Sequence, residues 1–316
     1  MIPKGLEAEP PLLSEARHLV RAYPSHGRPF TELTNQFLEH RLNLGISVQT
    51  GAQSNSKGMA LCLPHLGALG RFGNQILQYG FGRLIAIHCN ADLIFPEWAG
   101  SRVFNDSFPQ PVQTTYQVSN GVIDADSVSP EYICSSMREG HALQVTGYFG
   151  RYANHFPNSA AQFISHFSYR TEIKNLLLSS LEADGLTSNR YAALHVRRGD
   201  FVGNLSLETP ISAYLEALRV FTSMYDDFQI VVLSDECVDS LMDIPTVKVI
   251  KSKHHFDPAI QFLYDFFLIQ NARAVIVSPN STFSMTAVML NQNQPTVICP
   301  GINGPMLLDS WLFSQL

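Results

Sequence analysis

Between Tyr191 and Cys299, short apolar runs alternate with stretches of helical periodicity, and this alternation restricts the fold more than any other feature of the chain. Tyr191–Val196, Gln229–Leu233, Val247–Ile250, Ala274–Val277 and Thr296–Cys299 have strand length, while Pro210–Met224, Asp257–Asn271 and Thr282–Leu290 repeat apolar residues at helical spacing. Strands separated by crossover helices predict an α/β fold with a parallel, doubly wound sheet. Ligands of such sheets gather outside the carboxyl ends of the strands. Three of those ends carry polar clusters: His195 to Asp200, Ser234-Asp235, and Ser278 to Thr282.

The clusters suit a phosphorylated ligand. Arg197 and Arg198 supply guanidinium forks that match phosphate oxygens in pairs, and Gly199 lets the backbone come close. The third cluster opens a helix, so Ser281 and Thr282 set hydroxyls beside first-turn N–H groups and the positive end of the helix dipole. Arginines from one strand and a helix N-terminus from another form a diphosphate clamp. Asp235 fits a carboxylate that accepts from a base edge or ribose hydroxyls, and equally a cap for the next helix. His195 fits a core histidine or a ligand. The arginines also fit a structural ion pair with Asp200, and Arg198 is the more structural of the two.

The first half is less regular. Residues 1–57, interrupted by Pro10-Pro11 and Pro24, are expected to be an appendage holding one short amphipathic helix, Leu33–Leu44, and a linker, Gly51–Gly58. Met59–Leu63 reads as a strand, followed by a glycine turn (Gly67 to Gln75), a helix carrying Ile76, Leu77, Phe81, Leu84 and Ile85, and a strand at Ala91–Phe95. That is a βαβ unit. Leu143–Thr146 adds a strand, and Phe163–Leu181 is expected as one helix closing this half. The domains therefore read as 58–188 and 189–316. Asp124-Ala125-Asp126 follows an apolar pair and has the D-x-D form of a divalent-metal site on nucleotide diphosphates, a role the clusters of the second half already cover.

The formal net charge of −6 argues against nucleic acid as a partner. Cys62, Cys89, Cys134, Cys237 and Cys299 lack metal-binding spacing, and an odd, dispersed set favours free buried thiols in a reducing compartment. No apolar run has the roughly 18 residues of a membrane span, and the residues after Met1 lack a secretory core. A cytoplasmic protein, at most peripheral at a membrane, is expected; as a piece of an anchored protein the chain would face the Golgi lumen. Asn105, Asn204 and Asn280 each begin a formal N-glycosylation triplet.

Four motifs in order give the chain a family likeness: GRFGNQILQYGFG from Gly70, HVRRGDF from His195, VLSDE from Val232, and SPNSTFSMTAVML from Ser278. With Gly147-Tyr148-Phe149, they resemble glycosyltransferase family 11, the α-1,2-fucosyltransferases, and more distantly the α-1,6- and protein O-fucosyltransferases, over about Met59 to Trp311. The resemblance implies a GT-B fold of two Rossmann-like domains and GDP-β-L-fucose as donor. It implies inverting, metal-independent transfer to a glycan hydroxyl, with the 2-OH of a terminal galactoside as the leading acceptor. By position, Arg197 takes the β-phosphate, His195 and Asp200 hold the nucleotide end, and Asp235 contacts guanosine. Ser281, Thr282 and the Phe283 backbone take the phosphates. Arg71, Gly73 and Asn74 form the loop that reaches fucose and the leaving phosphate, and Asp200 is the formal candidate for the base. A protein O-fucosyltransferase, another GDP-sugar transferase, and an inactive glycan- or nucleotide-binding member are the rival readings. Met285-Thr286 stands where many members have paired tryptophans, which removes aromatic surface from that position.

Overall fold

A computed structural model describes residues 58–105, 116–186, 190–204, 207–225, 228–236, 238, 241, 248–251, 256 and 258–308. The appendage with its Leu33–Leu44 helix, Cys237, Val247, Asp257 and parts of the Asn105 and Asn204 triplets lie outside these residues. The chain divides into two compact units, Met1–His155 and Phe156–Leu316.

The first unit holds four parallel strands in the order β2-β1-β4-β3: β1 (Met59–Cys62), β2 (Ala91–Ile94), β3 (Gln117–Asp124) and β4 (His141–Thr146). Helix α1 (Phe72–His88) is the β1–β2 crossover, and all but a few of its residues are buried. Its Gly82 has a packing reason: a Cβ there would lie 2.6 Å from Leu63 Cδ1, so only glycine lets the helix close against the end of β1. On the same helix Tyr79 stacks on the buried Trp98 at 5.3 Å. Short helices α2 (Gly100–Val103) and α3 (Pro130–Ser136) follow. The Ser129 hydroxyl accepts the Tyr132 N–H, and proline occupies the first turn of α3, where its missing N–H costs nothing.

β3 was illegible in the sequence. Polar residues interrupt it, and its register against β4 shifts between Val118 and Val122, around Gly121 at φ +110°.

A second correction concerns the cysteines. Cys89, at the C-terminus of α1, is disulfide-bonded to Cys134 of α3. Two of the expected free thiols are therefore paired. Cys62 and Cys299 are free, and burial pushes each thiol up to about 11.

The second unit begins earlier than the expected boundary at 188/189. The single helix expected over Phe163–Leu181 is two, α4 (Ala160–Ser165) and α5 (Thr171–Ala183), and both belong to this unit. Buried hydroxyls tie the segment to α7 (Pro258–Asn271): Tyr169 donates to Gln270 Oε1 at 2.7 Å, and Tyr264 donates to Asp184 Oδ2 at 2.8 Å. Neither long-range pair has a local sequence signal.

Six strands form its sheet in the order β10-β9-β8-β5-β6-β7: β5 (Tyr191–Val196), β6 (Gln229–Ser234), β7 (Lys248–Lys251), β8 (Ala274–Ile276), β9 (Thr296–Cys299) and β10 (Met306–Leu308). All pairings are parallel except β10 on β9, an antiparallel edge the sequence did not announce. β5 is buried at every position, as a central parallel strand covered on both faces must be. Helix α6 (Ile211–Met224) packs Tyr214, Ala217 and Phe221 onto Ala192, Leu194 and Ile230, and α8 (Thr282–Met289) completes the repeat.

No helix among the described residues is long and apolar enough to cross a membrane.

Candidate active site

In the second unit, strands β8, β5 and β6 lie side by side, so the three polar clusters share one sheet edge. Hydrogen bonds join them. Beyond β5, the Arg197 backbone N–H donates to Ser278 Oγ at 3.2 Å, and that hydroxyl shares a second bond, at 2.9 Å, with the buried Tyr214 hydroxyl. Arg197 Nη1 lies 2.8 Å from Asp235 Oδ2, and Nη2 pairs with Asp200 Oδ1. The guanidinium carbon sits 5.6 Å from the centroid of the Phe201 ring. Only 16% of the Arg197 side chain is exposed, so these partners act in a partly dehydrated setting.

Asp235 braces this turn. Its Oδ1 accepts the Arg198 N–H at 2.8 Å while Oδ2 meets Arg197. A Cβ at Gly199 would come within 2.6 Å of Oδ2, and Gly199 has φ +29°, so glycine is required by both space and conformation. In this structure the Asp235 carboxylate faces Arg197 and the Arg198 N–H. Arg198 is structural: it pairs with Glu208 at 3.0 Å and Glu236 at 3.6 Å, and Glu208 also takes the Gly203 N–H at 2.8 Å.

His195, on β5, is buried with its ring 5.4 Å from that of Phe283, which in turn meets Phe266 at 5.3 Å. Burial first, then the neighbouring Arg197 charge, depresses its pKa to about 3, so the imidazole is neutral. Its Nδ1 is buried and has no hydrogen-bond partner. Helix α8 begins at Ser281 without a side-chain cap; Asn280, just before it, has φ +61°. Thr282 opens the first turn, where backbone N–H groups and the helix dipole favour an anion.

Arg71, Gly73 and Asn74 belong to the first unit, around the N-terminus of α1. Arg71 is exposed and Gly73 is buried in the first turn. Asn74 folds back so closely on Gly70 (φ +74°) that a Cβ at Gly70 would lie 2.4 Å from its Nδ2. Two glutamines that sequence reasoning passed over hold this loop. Gln75 Nε2 donates to the carbonyls of Gly67 and Gly70, each at 3.3 Å, and Gln78 Nε2 to that of Leu69 at 2.8 Å. Their spacing, one helical turn after a glycine loop, was the available signal.

The D-x-D pair is engaged elsewhere. Asp124 accepts the Asp126 N–H at 3.0 Å and the Ser127 hydroxyl at 2.7 Å. Asp126 accepts the N–H groups of Tyr148 at 2.7 Å and Phe149 at 2.9 Å. These carboxylates stabilise turns.

None of the curated proteins matches the sequence. Solved structures share its fold at low identity. A POFUT1 structure in complex with GDP is 11% identical with a TM-score of 0.52, covering 79% of this chain and all of its own. An Arabidopsis thaliana FUT1 variant in complex with GDP is 13% identical with a TM-score of 0.51, covering 93% and 79%. The fucosyltransferase NodZ from Bradyrhizobium is 13% identical with a TM-score of 0.51, covering 80% and 99%. At sequence level, the family model matches residues 126–303, which takes in the whole Arg197 edge and leaves out the glycine loop. That match spans more than half of the chain, and the chain therefore belongs to glycosyl transferase family 11.

Proposed function

We propose that the protein transfers L-fucose from GDP-β-L-fucose to the 2-OH of a terminal galactoside, with inversion and without a metal ion. One observation carries the reading: Arg197, held by groups from β5, β6 and β8, presents its cation at a sheet edge beside a helix N-terminus that has no side-chain cap.

Breaking the bond between the fucose anomeric carbon and the β-phosphate oxygen leaves negative charge on GDP and an oxocarbenium-like sugar. The Arg197 guanidinium and the first-turn N–H groups of α8 stabilise that charge, the role a divalent ion fills elsewhere. A preorganised donor of this kind is worth about 3–4 kcal/mol in the transition state. Attack by the acceptor hydroxyl from the opposite face forms the α-fucoside, and its proton passes to a base. Asp200, 53% exposed and paired with Arg197, serves here as a positioning group for the guanidinium. His195, neutral and buried, offers Nδ1 to a hydrogen-bond donor of the nucleotide.

The proposed setting is an oxidising compartment, because disulfides such as Cys89–Cys134 are rare in reducing ones. Mass spectrometry of the unreduced protein as isolated from its host tests this; two free thiols at Cys89 and Cys134 would overturn it.

Purified protein is to be incubated with GDP-fucose, GDP-mannose or UDP-galactose and with a galactoside panel beside folded peptide domains. The products are then analysed for linkage. Fucose on the galactoside 2-OH, undiminished by EDTA, is the expected outcome. Fucose on a peptide hydroxyl, transfer from another nucleotide sugar, or EDTA inhibition reversed by Mn²⁺ would each reject the corresponding part of the reading.

A further inference from the structure

The first unit ends two central parallel strands, β1 and β4, side by side, and their loops part company there. After β1 the chain turns through the glycine loop towards β2; after β4 it leaves the sheet through Gly147-Tyr148-Phe149. His65, beyond β1, and Thr146, the last residue of β4, bridge the two loops through Nδ1 and Oγ1 at 2.9 Å. Diverging loops at the carboxyl edge of parallel strands are where such sheets receive ligands.

The turn after β4 is costly to make. Gly147 has φ +130° and Phe149, which is not glycine, has φ +57°. Both N–H groups of the next peptide pair are gathered by one carboxylate, Asp126. The Phe149 ring is buried and meets Tyr152 edge-on at 5.0 Å. The Tyr152 hydroxyl, in turn, donates to the Val128 carbonyl at 3.1 Å. The backbone of Tyr148 and Phe149 is held by Asp126, yet Tyr148 is 43% exposed. Tyr132 is more exposed at 55%, but it stands on the regular helix α3, where exposure asks nothing of the backbone. Strain held in place by a carboxylate on a sheet edge is the kind that accompanies binding.

We infer that Tyr148 is the platform for the acceptor sugar, its ring taking the apolar face of an uncharged galactopyranoside, and that Asp126 is the residue that positions it. The inference rests on the transferase reading above and names a contact for the acceptor of that reaction within the first unit. Charge decides which sugar. Asp126, with Asp124 two residues before it, stands beside Tyr148, so an anionic sugar is disfavoured on that ring and a neutral glycan is not. Two neutral polar groups between the loops, His65 and Thr146, suit hydroxyls. Burial lowers the pKa of His65, which keeps its imidazole neutral, and Thr146 is a hydroxyl. An aromatic face flanked by a few neutral polar groups is the ordinary form of a small-ligand site.

The test uses the full chain labelled with 3-fluorotyrosine, the Tyr148 signal being identified by its loss in Tyr148→Phe. Titration with methyl β-D-galactopyranoside shifts that signal saturably; equal concentrations of GDP do not. In transfer assays Tyr148→Ala raises the galactoside KM about tenfold, the loss expected for one aromatic contact, and leaves the GDP-fucose KM within about twofold. Tyr148→Phe restores the galactoside KM. Asp126→Asn moves the Tyr148 signal and raises the galactoside KM without touching the donor KM. An unmoved Tyr148 signal, or a galactoside KM unchanged in Tyr148→Ala, overturns the inference. A protein that transfers no fucose yet shifts its Tyr148 signal with the galactoside rejects the transferase reading and keeps the sugar site, so the two failures are distinguishable.

Discussion

The two sheet edges are built from the same kind of strand and finished with opposite chemistry. In the second unit the groups beyond β5 and β6 are charged, and they hold one another: Arg197 with Asp200 and Asp235, Arg198 with Glu208 and Glu236. In the first unit the corresponding loops are held mainly by neutral amides and hydroxyls, with Gln75 and Gln78 on carbonyls and His65 on Thr146. Its carboxylates close turns against backbone N–H groups. A charged edge is suited to a ligand whose charge changes during reaction. A neutral edge is suited to one whose charge does not. The proposed division of labour between nucleotide and acceptor agrees with how each edge is braced.

The largest effect should come from removing Arg197, the guanidinium that Asp200 and Asp235 hold at the charged edge. Arg197→Ala is expected to slow fucosyl transfer by about two to three orders of magnitude with the fold intact by circular dichroism. Arg198→Ala, which loses only structural pairs, should lower melting temperature and leave turnover within a few fold. If the two variants lose activity equally, the contrast between a reacting and a bracing arginine is wrong.

The neutral edge has its own weak point. The Cys89–Cys134 bond closes a sequence separation of 45 residues and ties the far end of α1, the helix that carries the glycine loop, to α3. Cys134→Ser should destabilise the protein by about 2–4 kcal/mol, read from urea unfolding. The loss should appear in hydrogen exchange over β1 to β4 and spare β5 to β9. Uniform loss over both sheets would mean that the two units do not respond separately.

How much of this was legible follows from the range over which each signal acts. β5 and β6 with their polar ends, the crossover helices and the glycine turn are local patterns, and each stands where its sequence placed it. Arg197, Asp200 and Asp235 were found as residues, but their mutual pairing was only half foreseen, because Asp235 joins from another strand. Ser278 was visible in its cluster, whereas Tyr214, its partner from α6, carried no signal beyond helical periodicity. The disulfide and the attachment of α4 and α5 to the second unit are contacts between distant segments, and no spacing rule announces them. Asp124 and Asp126 show the converse: a local motif is legible in the sequence, while the turn groups its oxygens accept become visible only in the structure.

An acid titration separates the edges by histidine. In the native protein His195 takes a proton near pH 3, held down by burial and by Arg197, while in the unfolded chain it does so near 6.5. Between these values the unfolded chain binds the extra proton, so acid favours unfolding. Stability contributed by neutral His195 is complete above pH 6.5 and is lost as pH falls towards 3, by at most about 1.4 kcal/mol per pH unit for one proton. His195→Gln should flatten the fall of melting temperature between pH 6.5 and 5. An unchanged slope would show that His195 is protonated in the native protein, and the neutral donor-accepting role at the nucleotide would fall with it.

The smallest effect concerns Gln78, and it tests whether neutral bracing matters at all. Its amide reaches the Leu69 carbonyl at 2.8 Å from the second turn of α1, fixing the loop that ends in Arg71 and Asn74. Gln78→Leu keeps length and apolar packing on a helix face that is buried, and removes one hydrogen bond worth about 1 kcal/mol net. The loop has two further anchors through Gln75, so the fold should hold and stability should drop by no more than that amount. If the loop positions reacting groups, kcat falls severalfold while the melting temperature barely moves, because a small misplacement affects rate more than stability. If kcat and stability fall together, Gln78 is a packing residue. The neutral edge would then be organised by its sheet alone, with Asp126 the only brace whose removal reaches the ligand.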